Sequence, residues 1–500
     1  MDPVSRFATD TPALSATSHP IQRTGAWAVA VLADRATPQE VTEADLDMVA
    51  ARLIEDVIVA ALAPKDSAAY DWWKVLFALY PNSKATHSKR PRDRAALLPE
   101  IVALFVPDAP GSPTWPCTFC GVPAAVVWTK SNLPMYDTNK ALNTLPPGVA
   151  GWPICRGCRI AAWALPYGAW VTAGSATVLS CEQDAAEREF SARNVLRAKR
   201  IMQLSFGGLG AGARPEAVVL RALKVLGPDL PAAATLWSFK NDNQEPWLRV
   251  TRTRRAVPVF LATVEGNGEP RRAWRLLELA LTRRDKDGQL VTSGPAEAAR
   301  LLFEAEDGRS RSLLSQLHQL LDEPEKSGSL RNRAALTGLA FIYAEEILGM
   351  NPDLKPVATV IADWIEYGSG APRGRLAEYR NVALSDYKLG ALLMQAHFRL
   401  TLDGRAASAG PEDWRPLIQQ RPRAWEQRML LSATVLQLLQ ERGVAVNERP
   451  VDPDDEARIE HQLQQPMLGQ GDGNSMRDDG MNDDGVNDDG VNDDDDRGAA

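Results

Sequence analysis

Apolar residues recur at helical spacing through TEADLDMVAARLIEDVIVAAL, which follows Val41 and opens with Thr42 ahead of an acidic first turn. That pattern predicts a helix over about 42–62. Trp72, Trp73, Val75, Leu76 and Leu79 predict a second buried helix that breaks at Pro81. The next stretch, NSKATHSKRPRDR, is polar and basic and reads as a surface loop. After a segment rich in Pro and Trp over 113–160, ALPYGAWVTAGSATVLSC gives short β-branched and aromatic runs with Gly breaks, which read as strands. Helical patterns lie on both sides of FGGLGAGARP between about 190 and 226, and TLWSF, PWLRVTRT and AVPVFLATV read as strands or extended segments.

Beyond residue 292 the pattern changes. AEAARLLFEAEDGRSRSLLSQLHQLLDE, NRAALTGLAFIYAEEILGM, PVATVIADWIEYG, RLAEYRNVALSDYKLGALLMQAHFRLTL and AWEQRMLLSATVLQLLQERG repeat apolar residues at i, i+3, i+4 and i+7. They predict a five- or six-helix bundle over 293–443. Residues 1–18 lack sustained periodicity and read as a flexible extension, and 444–500 read as a disordered acidic tail ending in DDGMNDDGVNDDGVNDDDD. The expected fold class is therefore α+β: a mixed α/β domain over 19–292 carrying a zinc finger at about 113–160, then the helical bundle, then the tail.

Charge sharpens this division. The formal net charge of −8 is set by the last fifty residues, where 16 Asp and Glu stand against 3 Arg; residues 1–450 are left with 53 basic and 48 acidic side chains. Residues 191–290 hold 18 Lys and Arg against 9 Asp and Glu, a local excess that attracts polyanions if the charges share a face. With no stretch of about 18 apolar residues and no charged-then-apolar leader, the chain is expected in the cytoplasm, away from membranes.

Four of the five cysteines form two CxxC pairs, Cys117 and Cys120 in CTFCG, Cys155 and Cys158 in CRGC. Two intervening residues let both sulfurs of a turn face one tetrahedral ion, and Gly121 permits the turn. Four thiolates fill the shell, so the expected cofactor is structural zinc, with loop 121–154 projecting as a finger pinned at its base. Cys181 reads as a small buried residue. Gly207, Gly208, Gly210 and Gly212 lack the phosphate-loop pattern and read as a helix-to-helix turn. His19, His87, His318, His397 and His461 are scattered, and no HExxH, GxSxG or paired-carboxylate pattern points to catalysis. The acidic repeat lacks the closing Glu of a calcium loop.

Three basic segments are candidate nucleic-acid contacts. Asn82, Ser83, Lys84, Lys89 and Arg90, with His87, Arg92 and Arg94, mix groups that bind phosphates and base edges. Arg193, Arg197, Lys199 and Arg200 share a helical stretch, and Arg252, Arg254 and Arg255 cluster with Arg249 after Trp247.

The order of HPIQRTGAWAVAVL, TEADLDMVAARL, LFALYPNSKATH, CTFCG, PICRGCRIAAWALPYG, LWSFKNDNQEPWLRV, AVPVFLATV, RAWRLLEL, LAFIYAEEILGM and YKLGALLMQAHFRLTL resembles the Cst-type large subunit of type I-B CRISPR effector complexes over roughly residues 19–443. The resemblance implies a non-catalytic subunit of a crRNA-guided complex that binds target double-stranded DNA, recognises the short flanking motif and supports R-loop formation. Guide pairing would supply sequence readout, and a helicase-nuclease partner would cut. A reading from another class is a zinc-stabilised protein scaffold that makes no direct nucleic-acid contact.

Overall fold

The computed structural model describes residues 12–134, 150–209, 213–224, 230–241, 245–266, 268–305, 312–323, 328–368, 370–444 and 453–464. Outside these lie residues 135–149 of the expected finger, Gly210 and Gly212 of the Gly-rich turn, and residues 465–500 of the acidic tail.

The N-terminal part is built on two helices buried on all sides, α1 (Pro20–Leu32) and α5 (Arg156–Gly168). They meet through glycine: a Cβ on Gly25 would stand 1.9 Å from the Ala161 carbonyl oxygen, and one on Gly168 would stand 2.7 Å from that of Thr24. Around them pack α2 (Glu43–Leu62), α3 (Ala68–Leu79), α4 (Arg94–Phe105) and α6 (Asp184–Leu204). The α2 start is the expected one. Thr42 Oγ1 accepts from the Asp45 amide at 3.2 Å, and Asp45 accepts from the Thr42 amide at 2.9 Å, a reciprocal capping box. The hydrogen bond from Arg35, then those from Thr42, hold the Asp45 carboxyl well below the usual carboxylate range.

A five-stranded antiparallel sheet follows: β5 (Trp170–Val171), β6 (Ala176–Cys181), β7 (Ala234–Lys240), β8 (Trp247–Thr253) and β11 (Phe303–Ala305). Its spatial order is β11-β8-β7-β6-β5. Side chains alternate across a strand, and here each face belongs to a different core. Ala176, Val178 and Phe239 join the N-terminal core, whereas Leu179, Leu236 and Phe303 join the C-terminal one. Ala176 pairs with Phe239 and Leu179 with Leu236, so the sheet is a wall between two interiors. Three small two-stranded ladders complete the strands: β1 (Trp115–Pro116) with β2 (Pro123–Ala124), β3 (Val127–Trp128) with β4 (Trp152–Pro153), and β9 (Arg283–Arg284) with β10 (Leu290–Thr292).

The C-terminal core is helical: α7 (Pro215–Lys224), α8 (Val257–Gly266), α9 (Gly268–Leu281), α10 (Gly294–Arg300), α11 (Leu313–Asp322), α12 (Leu330–Ile342, continued by a π-turn over Tyr343–Ile347), α13 (Lys355–Tyr367), α14 (Pro372–Val382), α15 (Asp386–Leu402), α16 (Pro411–Ile418), α17 (Ala424–Glu441) and α18 (Pro453–Gln464). A mixed α+β N-terminal region and a largely helical C-terminal region are thus present, with several departures from the sequence pattern. ALPYG is the last turn of α5, not a strand; tertiary burial carries the helix through Pro166. AVPVFLATV is α8, because Val257, Phe260, Leu261 and Val264 line one helical face. Beyond residue 292, β11 crosses back to complete the sheet, and eight helices, not five or six, lie between 293 and 443 among the described residues. Within the expected tail, α18 buries Ile459 and Leu463 on the helical core and pairs Glu460 with Arg272. Within the expected N-terminal extension, Leu14 is a core residue.

Candidate metal centre and basic surfaces

Two knuckles bring the cysteines together. In the first, the β1–β2 turn closes with the Cys117 amide donating to the Val122 carbonyl (2.8 Å) and the Gly121 amide to the Cys117 carbonyl (2.9 Å). Gly121 takes φ +78°, a left-handed turn in which a side chain is strained. In the second, the β3–β4 ladder delivers Cys155 as the N-cap of α5, with Cys158 in the helix's first turn. The Thr118 amide donates to the Pro153 carbonyl at 2.8 Å and joins the knuckles.

All four sulfurs lie within 4.8 Å of one another, and Cys120 Sγ approaches Cys155 Sγ at 3.5 Å. Among the described residues this is the one group of three or more His, Cys, Asp or Glu that converges in this way. The donor set fits a tetrahedral structural metal ion, for which four thiolates leave no place for water or substrate. The thiols also perturb one another. Cys117 is pushed far down by hydrogen bonds from the other three, while Cys155 and Cys158 are pushed far up by those involving Cys117 and Cys120. A bound cation would displace the protons of the cluster, since each cysteine ligates as its thiolate.

The surroundings suit a buried anion. Gln22 is fully buried on α1; its Nε2 donates to Cys158 Sγ (3.5 Å) and the Ser15 carbonyl (2.8 Å), and its Oε1 accepts from the Thr17 amide and hydroxyl, both at 2.8 Å. This amide locks residues 15–17 over the second knuckle, and the Ala13 carbonyl presses so closely on Gly157 that a Cβ there would lie 2.3 Å away. Arg159, fully buried, donates to the carbonyls of Leu104 (2.9 Å) and Val106 (2.8 Å) and pairs with Asp108 at 2.6 Å. Burial lowers its pKa, with Asp108 opposing the shift. Arg156 pairs with Glu43 at 3.0 Å and with Asp47. The helix N-terminus and the Gln22 amide therefore offset part of the thiolate charge, while Arg156 and Arg159 are held by Glu43, Asp47 and Asp108. Gln22 and Asp108 carry no local sequence signal; Arg156 and Arg159 each follow a cysteine of CRGCR, a usable clue. A cavity of about 360 Å³ opens beside Cys120, walled by Pro12–Ser15, Glu43, Asp108 and Arg156.

The same helix supports the first basic loop. Midway along α5, Tyr80 stacks on Trp163 at 4.2 Å and donates its hydroxyl to the Ala162 carbonyl. The expected surface loop 82–94 is not wholly at the surface, and its last residue, Arg94, already opens α4, which leaves loop 81–93 between α3 and α4. Ser83, Thr86 and Arg90 are buried, and Arg90 lies over the Trp73 ring (3.9 Å to the centroid) while donating to the Ala61 carbonyl at 2.8 Å. Burial, then the charge of Arg92, brings its pKa down to about 10. Ser83 and Arg90 are thus interior anchors, corrected from their expected role as DNA contacts. Lys84 and Lys89 are exposed, Lys84 facing Glu100 at 3.0 Å, and Asn82 is half-buried.

On α6, Arg193 pairs with Glu189 (2.7 Å), and Lys199 and Arg200 are half-buried. Arg197 is buried over Trp170 (4.1 Å), which corrects its expected surface role. Arg252 is exposed beside Thr235, Arg254 pairs with Glu304 (2.7 Å) and Arg255 with Glu182 (2.9 Å). Asn241 donates to the Leu79 carbonyl, placing the base of the loop at the Lys240–Trp247 end of the sheet. Arg252–Arg255 lie at the opposite end of β8, about 20 Å away at the usual strand rise. The structure therefore separates these two basic groups.

No protein-family model matches the chain, and no curated protein or solved structure matches it. No helix among the described residues is long and apolar enough to cross a membrane.

Proposed function

We propose that the chain is the non-catalytic large subunit of a crRNA-guided type I-B interference complex, with zinc as its structural cofactor. In this reading the exposed side chains of loop 81–93 contact target DNA beside the guide-paired region. The observation that carries it is the rigid presentation of that loop. Ser83, Thr86 and Arg90 are buried anchors on either side of exposed Lys84 and Lys89, and the loop's base stacks on the helix that begins at the cysteine knuckles. A loop held on both sides can place cations and Asn82 in one geometry, as flank recognition requires, whereas a free loop supplies only nonspecific attraction. The resemblance of motif order over 19–443 supplies the complex and its partners: crRNA-guided subunits, target duplex and helicase-nuclease.

The test is target-duplex binding by the purified complex with and without this subunit, across flanking motifs. Flank-dependent binding that requires the chain, lost in Asn82→Ala or reduced in salt slope by about one in Lys84→Ala, supports the reading. Failure to co-purify, or binding indifferent to the flank, overturns it. The second reading, a protein-docking scaffold, is favoured by exposed apolar side chains on the helical region; it expects partner binding unchanged by these two substitutions.

A further inference from the structure

The cavity of about 360 Å³ beside the cysteine cluster has fixed walls. Residues 12–15 cannot drop into it, because Gln22 holds the Ser15 carbonyl and Thr17 at 2.8 Å and the Ala13 carbonyl already presses on Gly157. Asp108 accepts from the Ala125 amide at 2.9 Å and from buried Arg159 at 2.6 Å, and Glu43 is held by Arg156 at 3.0 Å. A space of this size, bounded by groups whose hydrogen bonds are already made, is a preformed pocket at the small end of the ~300–1,000 Å³ range of small-molecule sites.

The cysteines that meet this cavity are not equally protected. Cys120, Cys155 and Cys158 line it. Cys117, Cys155 and Cys158 are members of the N-terminal core, 4%, 9% and 1% exposed, whereas Cys120 is half-buried and only packs against that core. Cys158 also has the Gln22 amide on its sulfur. Cys120 precedes Gly121, an exposed turn residue at which even a Cβ would meet nothing within 4 Å, so the turn has space to yield there. Because four thiolates fill the coordination shell, nothing reaches the ion without first taking the place of one of them. The donor class that competes best at such a site is another soft thiolate.

We propose that the cavity admits a small-molecule thiol and is the port through which the metal ion enters and leaves, with Cys120 the ligand displaced first. In that step the S–H bond of the thiol and the bond from Cys120 to the ion break, the incoming sulfur takes the vacated position, and the proton passes to Cys120. No electrons are transferred. The inference rests on the cysteine cluster holding a metal ion and is independent of the DNA-binding reading.

The test follows transfer of zinc from the loaded full chain to an excess of chromophoric chelator. Zinc content is measured first: a chain that retains none overturns the metal centre and this inference with it, whereas the outcomes that follow bear on the port alone. 2-Mercaptoethanol is expected to accelerate release, and glutathione, at equal thiolate concentration and in high salt to screen its charge, to do so about ten-fold less because it is too large for the cavity. Equal acceleration by the two thiols, or by neither, overturns the proposal. Pro12→Trp and Pro107→Trp, at exposed residues lining the cavity, should each slow the thiol-accelerated rate by about ten-fold while zinc affinity and melting curve stay at wild-type values. An unchanged rate in both folded variants overturns it. If neither variant folds, the wild-type chain decides: iodoacetamide present during release should alkylate Cys120 before Cys117, Cys155 and Cys158, read by peptide mass spectrometry. Alkylation of another of the four first would overturn the role of Cys120.

Discussion

Replacing Gln22 by Ala tests whether the amide beside Cys158 belongs to the metal centre. Gln22 Nε2 donates to Cys158 Sγ at 3.5 Å and to the Ser15 carbonyl at 2.8 Å, and Oε1 receives two hydrogen bonds from Thr17. Truncation removes all four interactions from a fully buried side chain. The Cys158 thiolate, itself buried, loses a donor that offsets its charge, and Ser15 and Thr17 lose the group that fixes them over the knuckle. Loss of an outer-shell hydrogen bond commonly weakens metal affinity by about 10–100-fold, equivalent to ~1.4–2.7 kcal/mol. Gln22→Glu should be worse, because it sets a carboxylate against a thiolate and discards the donor. Zinc affinity measured by competition with a chromophoric chelator, with circular dichroism confirming the fold, reads the effect directly. Wild-type affinity in both variants would refute the placement of Gln22 in the metal's outer shell.

Zinc loading should release protons, because each thiol must ionise to become a ligand, and affinity should fall as pH drops; a weakly buffered indicator titration checks both. Arg90→Ala should cost about 2–4 kcal/mol by denaturant unfolding, since it removes a buried stack on Trp73 and a hydrogen bond to the Ala61 carbonyl. Lys84→Ala, at an exposed ion pair, should change stability by less than about 1 kcal/mol in the same assay. Gly25→Ala should lower the melting temperature by several degrees or prevent folding, because its Cβ would meet the Ala161 carbonyl oxygen at 1.9 Å and force α1 from α5. A melting curve equal to wild type would show that the two helices separate at little cost.

The legible parts of the chain were those whose physics is local. The α2 start needed only Thr42, an acidic first turn and a 3.6-residue period, and the cysteine knuckles needed only CxxC spacing with Gly121, whose left-handed turn closes between its own neighbours. Tertiary structure decided whatever depended on distant surfaces. A run such as AVPVFLATV suits strand or helix by propensity, and the cluster of Leu and Ala around α8 chose helix. The sheet's role as a wall, with Leu179 and Val178 serving different cores, depends on β11 arriving from beyond residue 292 and on helices packing against both faces. Arg90 and Arg197 have the same charge as Lys84 and Lys89, yet Trp73 and Trp170 take the first two into the interior. Gln22 reaches Cys158 across 136 positions of sequence, a proximity that only the packing of α1 on α5 creates.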